Sequence, residues 1–312
     1  MLNRRHIRAK VMQVLFANAS NTTPDQLDGL LDENMKNMYK LYLALLSLMV
    51  HIRIRAIEQQ GKAQRKHLIT AEDVNPNMKF VNNSLLVALT QNESFQAEIK
   101  AHKVEYWSQD GEYVELIFRS LIKSDLYDDY MRSPDVSVKA DTQFVVEIYK
   151  QIVAPNPKLY DYLQDQNLTW IDDLPVVNTF IVKLFQKFNA KVRSDYFCPQ
   201  LFKDNEDQRF GFELLKSTLE HQDRFSEAII ANTKNWDKDR IASTDFILLQ
   251  MALCELNEFP TIPVKVTINE YVELAKDYST PKSNVFINGI LDKMAKDYDT
   301  KKTLKKKGRG LQ

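Results

Sequence analysis

Glycine is scarce in this 312-residue sequence, with seven residues, and proline, with ten, is little commoner. The glycines stand at 29, 61, 111, 211, 289, 308 and 310, so neither a G-x-G-x-x-G turn nor a Walker A loop can be assembled. The usual backbone cradles for nucleotide phosphates are therefore missing. Cysteine occurs twice, at Cys198 and Cys254. Two cysteines in a long chain make no disulfide framework, neither has a metal-ligand neighbour, and a reducing cytoplasm fits. The five histidines form no His-x-x-x-His pair and have no Cys nearby, so no zinc site is written locally. No serine sits in a Gly-x-Ser-x-Gly elbow. No catalytic residue, metal or cofactor is assigned.

Long apolar runs are also absent. The longest, Leu41 to Val50, contains Ser47 and is too short to span a bilayer. No membrane association is expected. The N-terminus lacks the apolar core of a secretory signal. Acid is missing at both ends. Lys and Arg (42) balance Asp and Glu (42), yet no acid precedes Asp25, while Arg4, Arg5, Arg8 and Lys10 do. Residues 300–312 carry Lys301, Lys302, Lys305, Lys306, Lys307 and Arg309 with no acid. The termini are expected to be basic patches on a neutral protein.

What is present is helical periodicity. Residues 4–19 read as a first helix, with Ile7, Val11, Val14 and Leu15 as its apolar stripe and Arg4, Arg5 and Arg8 clustered off it. Asn21-Thr-Thr-Pro24 ends this element. The second helix spans about Asp32 to Gln60, where Met35, Met38, Tyr42, Leu45, Met49 and Ile52 repeat at alternating spacings of three and four. Gly61 is its stop. A polar connection at 61–79 leads to helices at about 80–91, 94–107, 112–131, 140–153, 158–165, 175–189 and 191–197. Nothing alternates as a strand would. Trp170-Ile-Asp-Asp173 with Phe180 lines up with Trp236-Asp-Lys-Asp239 with Phe246, which is either a degenerate repeat or two similar helix starts.

A helix over 209–231 leads into three further ones. Ser243 is expected to cap the first, which carries Ile247, Leu248, Met251, Ala252 and Leu256 on one face. The second starts either at Pro263 or at Thr267, with Glu270 completing a capping box. Its buried stripe is Ile268, Tyr271, Val272 and Ala275. Ser283 opens the third, whose apolar side is Phe286, Ile287, Ile290, Leu291 and Met294.

This run resembles the C-terminal half of the bacterial NusB family of transcription antitermination factors. The resemblance rests on Trp236-Asp-Lys-Asp-Arg240, the apolar helix ending Leu253-Cys-Glu-Leu256, Pro263-Val-Lys-Val-Thr-Ile-Asn-Glu270 with Glu273-Leu-Ala-Lys276, and Phe286-Ile-Asn-Gly-Ile-Leu-Asp-Lys293. Arg4-Arg5-His6-Ile7-Arg8 through Gln13-Val-Leu-Phe16 is similar to the family's arginine-rich first helix. The same match weighs against reading the acid-poor N-terminus as a transit peptide. It covers about 1–58 and 207–295, and the segment between is far longer than in a typical member.

The resemblance implies a non-catalytic factor binding boxA-type single-stranded RNA of ribosomal RNA leader transcripts. Its partners would be a NusE-like small-subunit ribosomal protein and transcribing RNA polymerase with other Nus factors. It implies RNA contacts at Arg4, Arg5 and Arg8, whose charge suits phosphates, and in the Lys282, Phe286 and Asn288 region, where Phe286 is a stacking residue or simply core. Lys282 and Val285 replace the acid and Lys of many members. Asn269 and Asn288 are open between RNA contacts and buried structural residues. Gly289 is expected to allow close helix packing. Phe16 and Asp245 match positions near the family's protein interface, and Asp245 is otherwise an acid favoured by a helix dipole.

The expected architecture is all-α, a NusB-like helical bundle with a long helical insertion. Residues 1–60 and 207–298 form the bundle, 61–206 the insert, and 299–312 a disordered basic tail that either adds RNA affinity or only aids solubility. Two other readings stay open. One is a protein–protein scaffold. The other is an RNA-targeting accessory, since NusB-like domains are fused to some ribosomal RNA cytosine methyltransferases, although this chain has no Gly-rich cofactor-binding unit.

Overall fold

The computed structural model describes residues 1–17, 23–63, 76–233 and 241–311. These form helices joined by short turns, with no strand among the described residues. The class is all-α, as the 3.6-residue periodicity and the scarcity of helix breakers dictate. The Trp236 segment, and with it half of the possible repeat, lies outside the described residues, as does most of the 61–79 connection.

Helix α1 (Arg4–Ala17) is followed by the long α2 (Pro24–Ala63). Pro24 does not merely end the first element. It is the first residue of α2, where a missing N–H costs nothing. Gly61 does not stop α2, which continues to Ala63. The chain forms two compact units, one of Met1 and 36–201, the other of 2–35 and 202–312. The division falls at 35/36, within α2.

The middle unit contains α3 (Ser84–Gln91), α4 (Glu93–Ala101), α5 (Tyr106–Gln109), α6 (Gly111–Ile122) and α7 (Asp125–Arg132). Then come α8 (Val138–Ile148) with a π-helical turn at Tyr149–Val153, α9 (Pro157–Gln166) and α10 (Trp170–Gln186). Side-chain caps start many of these helices. Asn83, Asn92, Ser124, Ser137 and Asn156 each accept from backbone N–H groups of the turn that follows. The Ser124 cap is why the expected 112–131 helix is broken in two. The expected 191–197 helix is absent, and those residues form turns around buried Phe197. Residues 41–50 of α2 are buried on every side, as an all-round apolar helix requires. Trp107 Nε1 donates to the Ala44 carbonyl at 2.7 Å, Trp170 Nε1 to Asn37 at 2.9 Å, and the Tyr42 hydroxyl to Phe197 at 2.9 Å.

The other unit joins α1 and the start of α2 to α11 (Asn205–Glu220), α12 (Gln222–Asn232), α13 (Ser243–Glu258), α14 (Val264–Tyr278) and α15 (Ser283–Thr300). His221 separates α11 from α12, so the expected 209–231 helix is also two. Helix α13 is central, with α1, α11, α12, α14 and α15 packed on it. Every residue from Leu248 to Leu256 is buried, which is wider than the single face expected. Ser243 is the first residue of α13 and makes no cap bond. Of the two starts weighed for α14, the structure has the proline one, with Pro263 preceding Val264. A Cβ at Gly289 would meet open space, so this glycine does not serve helix packing. The tail is not loose either. It turns back through a 3₁₀ turn at Gly308–Leu311, and the Lys307 N–H donates to the Pro260 carbonyl at 2.9 Å.

Replacing Tyr42 with Phe removes a buried donor to the Phe197 carbonyl and is expected to cost about 1–2 kcal/mol. Urea unfolding followed by circular dichroism measures it, and an unchanged midpoint would show that the bond contributes nothing.

Candidate nucleic-acid interface

Helix α1 packs on α11, α13 and α14, and its three arginines meet different environments. Arg8 is buried. Its Nε and Nη2 donate to Glu255 Oε2 and Oε1 at 2.7 and 2.9 Å. Thr267 donates its hydroxyl to Glu255 Oε1 at 2.8 Å, and the Tyr271 phenol reaches Oε2 at 3.3 Å. Burial opposes the Arg8 cation, but the charge and hydrogen bonds of Glu255 outweigh it, and its pKa is raised. Arg8 Nη1 also lies 3.5 Å from Glu270 Oε2.

Arg5 sits at the rim. Its Nε and Nη2 donate to the two Glu270 oxygens at 2.9 and 3.0 Å, so Glu270 joins two arginines. Burial tends to raise the Glu270 carboxyl, yet the Arg5 bond and the charges of Arg8 and Arg5 hold it below its ordinary value. Arg4 donates to Asp207 at 2.7 Å and to Glu206 at 2.5 Å. The Arg4 and Arg8 guanidinium groups lie 5.1 and 5.0 Å from the Phe210 ring centre, in cation–π range.

These side chains border a cleft of about 640 Å³ lined by Arg4, Arg5, His6, Arg8, Glu270 and Arg309, among others. Burial first, then the charges of Arg5 and Lys10, push His6 down to about 4. It is neutral at neutral pH and presents a flat ring beside the cations. Lys282, Phe286 and Asn288 are not among the residues lining this cleft. Phe286 and Asn288 sit on α15 and Lys282 immediately precedes it; α15 packs on α14, as α1 does. Lys282 and Asn288 are exposed and Phe286 is half-buried. Asn269 is exposed too, so neither asparagine is a buried structural residue.

A family comparison matches residues 182–296 to the NusB family. A protein called transcription antitermination protein NusB from Salinibacter ruber is 40% identical over 111 residues, covering 36% of this chain and 69% of its own length. Its namesake from Finegoldia magna is 42% identical over 106 residues, 34% of this chain and 77% of its own. The one from Dictyoglomus turgidum is 38% identical over 125 residues, 39% of this chain and 83% of its own. The chain belongs to the NusB family. No solved structure matches it significantly.

Two expected positions in this NusB-family chain are more buried than the sequence pattern suggests. Asp245 is buried, and its two oxygens accept from Ser279 at 2.6 Å and Ser283 at 2.7 Å. It ties the start of α13 to the end of α14 and the start of α15, and it lies in the first turn of α13, the dipole-favoured place expected as the alternative. Arg8 was expected off the apolar stripe but is enclosed with Glu255. Phe16 is 55% exposed. Glu255 and Glu270 are ion-pair partners that the family motifs do not mark as such. An acid inside the otherwise apolar Leu253-Cys-Glu-Leu256 run was the available signal, because a buried charge needs a partner. Both cysteine thiols are pushed up by burial, Cys198 to about 11 and Cys254 to about 12, so neither is a ready thiolate. Among the described residues no group of His, Cys, Asp and Glu is placed to hold a metal ion, and no helix is long and apolar enough to cross a membrane.

Arg8→Ala leaves Glu255 buried without its counter-charge and is expected to cost about 3–5 kcal/mol, whereas Arg5→Ala at the rim costs under about 1 kcal/mol. Denaturant midpoints compare them, and equal losses would contradict the buried-pair account. His6 supplies a pH dependence. The unfolded chain takes up its proton near pH 6.5 while the folded chain resists until about pH 4. Stability should therefore decline as pH falls through that interval. His6→Gln should flatten that part of the profile, and an unchanged slope would remove His6 as its source.

Proposed function

We propose that this chain is a non-catalytic RNA-binding factor of transcription antitermination. In this reading it binds boxA-type single-stranded RNA of ribosomal RNA leader transcripts together with a NusE-like small-subunit ribosomal protein, alongside transcribing RNA polymerase and other Nus factors. The observation that carries the reading is the arginine-lined cleft on α1 within a bundle whose relatives are named as antitermination proteins. Arg4 and Arg5 keep part of their guanidinium surface at the rim, where phosphate oxygens can share it with the carboxylates. Arg8 acts one step back, holding Glu270 and hence Arg5 in place. Phe286 offers a stacking face, with exposed Asn288 on α15 and exposed Lys282 just before it. Exposed Phe16 is the natural candidate for a protein contact. Asp245 would support the α15 start and not touch the partner.

A scaffold reading draws on one observation: each α1 arginine already carries a carboxylate. Titrating boxA-like RNA against a scrambled RNA of equal length, with and without the ribosomal protein and at two salt concentrations, separates the two. The antitermination reading expects a boxA preference that strengthens with the partner. Arg5→Glu should abolish it, and Phe286→Ala should weaken it by about 1–3 kcal/mol. Equal weak binding to both RNAs, unaffected by Arg5→Glu, would sink it in favour of a scaffold.

A further inference from the structure

The C-terminal segment is docked by several independent contacts. Lys306 Nζ donates to the Phe259 and Glu255 carbonyls at 3.0 and 3.3 Å. These belong to the end of α13, where the helix dipole favours a cation, and they accept the ammonium in addition to the Phe259 and Ile262 N–H groups. Lys307 N–H bonds to Pro260. Gly308 adopts φ +55°, a left-handed conformation that other residues resist. A Cβ at Gly310 would overlap the Pro260 carbonyl oxygen, so only glycine lets the backbone lie so close. Lys306-Lys-Gly-Arg-Gly310 is therefore shaped for this seat, and a merely solubilising end has no need of either glycine.

The seat decides where Arg309 goes. Arg309 is exposed and lines the 640 Å³ cleft with Arg4, Arg5 and Arg8. With Arg4 it also lines a neighbouring cleft of about 730 Å³, which contains Lys203 and the acids Asp204, Glu206 and Asp207. The charge balance around the first cleft is uneven. Arg4 is paired with Glu206 and Asp207, Arg5 with Glu270, and Arg8 with Glu255. Of the four arginines, Arg309 alone has no carboxylate partner among the described residues. An anion entering the cleft meets compensated cations on α1 and an uncompensated one from the tail.

We infer that the C-terminal segment is a clip that carries Arg309 into the α1 cleft, where Arg309 and Arg5 hold neighbouring phosphates of one RNA strand. This rests on the RNA-binding reading above and adds the tail to its site. The clip adds to the cleft a cation with no carboxylate partner among the described residues, beside α1 arginines already matched by four carboxylates, and Lys306 sets the register by engaging the end of α13.

The test uses the full chain and an end-labelled 12-nucleotide single-stranded RNA, with binding followed by anisotropy over a range of salt. Arg309→Gln removes the cation, and Gly310→Val keeps every charge but unseats the clip. Both variants are expected to bind about tenfold more weakly, with the salt slope reduced by about 0.7, the value for one lost phosphate contact on a single strand. Trypsin should cleave after Lys306 and Lys307 faster in Gly310→Val than in the unaltered chain. RNA binding that both variants leave unchanged overturns the clip while the RNA-binding reading stands. Loss with Arg309→Gln but not with Gly310→Val also overturns it, because the charge would then act without docking. An unaltered chain that binds no RNA overturns both.

Discussion

The buried pair between Arg8 and Glu255 is the contact on which the bundle of α1, α11, α13, α14 and α15 depends. Two full charges withdrawn from water cost several kcal/mol each unless nearly all their hydrogen-bonding capacity is met. Here the guanidinium grips both carboxylate oxygens, and Thr267 and Tyr271 add donors to the same oxygens. Such a pair tolerates only one register of α1 against α13 and α14. A one-turn slip of any of the three would bury at least one unpaired charge. The pair specifies the arrangement more than it stabilises it, since apolar residues of equal volume would cost less to bury.

The rim of the site follows from that centre. With α1 held by Arg8, Arg5 one turn earlier falls beside Glu270, and Arg4 falls beside the first turn of α11. Phe210 fills the space below two guanidinium groups. The result is an ordered set of arginines with little net field. Recognition on such a surface relies on geometry and on exchange of partners, and screening by salt acts mainly on whatever charge remains unpaired. The tail turns back into this same region, with its ammonium on the last carbonyls of α13.

The two units differ in part in how their helices start, although Asp204 caps α11 in the second unit as Asn and Ser do in the first. In the middle unit Asn and Ser side chains start five of the helices, and tryptophan indoles lock α2 through its carbonyls. Helices α13, α14 and α15 start without any side-chain cap. Their junctions are joined instead by Asp245 with Ser279 and Ser283, a long-range clasp. Autonomous caps make local starts easy to locate, whereas a clasp leaves no short signature.

By itself the sequence determined the helical class, the order of most helices and the family, because 3.6-residue periodicity, few glycines and runs such as Leu253-Cys-Glu-Leu256 are local properties. It placed the start of α15 at Ser283 and offered Pro263 or Thr267 for that of α14. It misplaced what depends on distant residues. The missing acids before Asp25 suggested bare arginines, but their counter-charges come from residues 206, 207, 255 and 270, which only tertiary packing brings to α1. Asp245, expected near a protein interface or as a dipole-favoured acid at a helix start, does stand in the first turn of α13, but its burial and its two serine donors depend on distant residues for the same reason. The tail looked disordered by composition, and its glycines show their purpose only against Pro260. Helix identity is settled by neighbours a few positions away, whereas the state of a charge is settled by whatever the fold sets beside it.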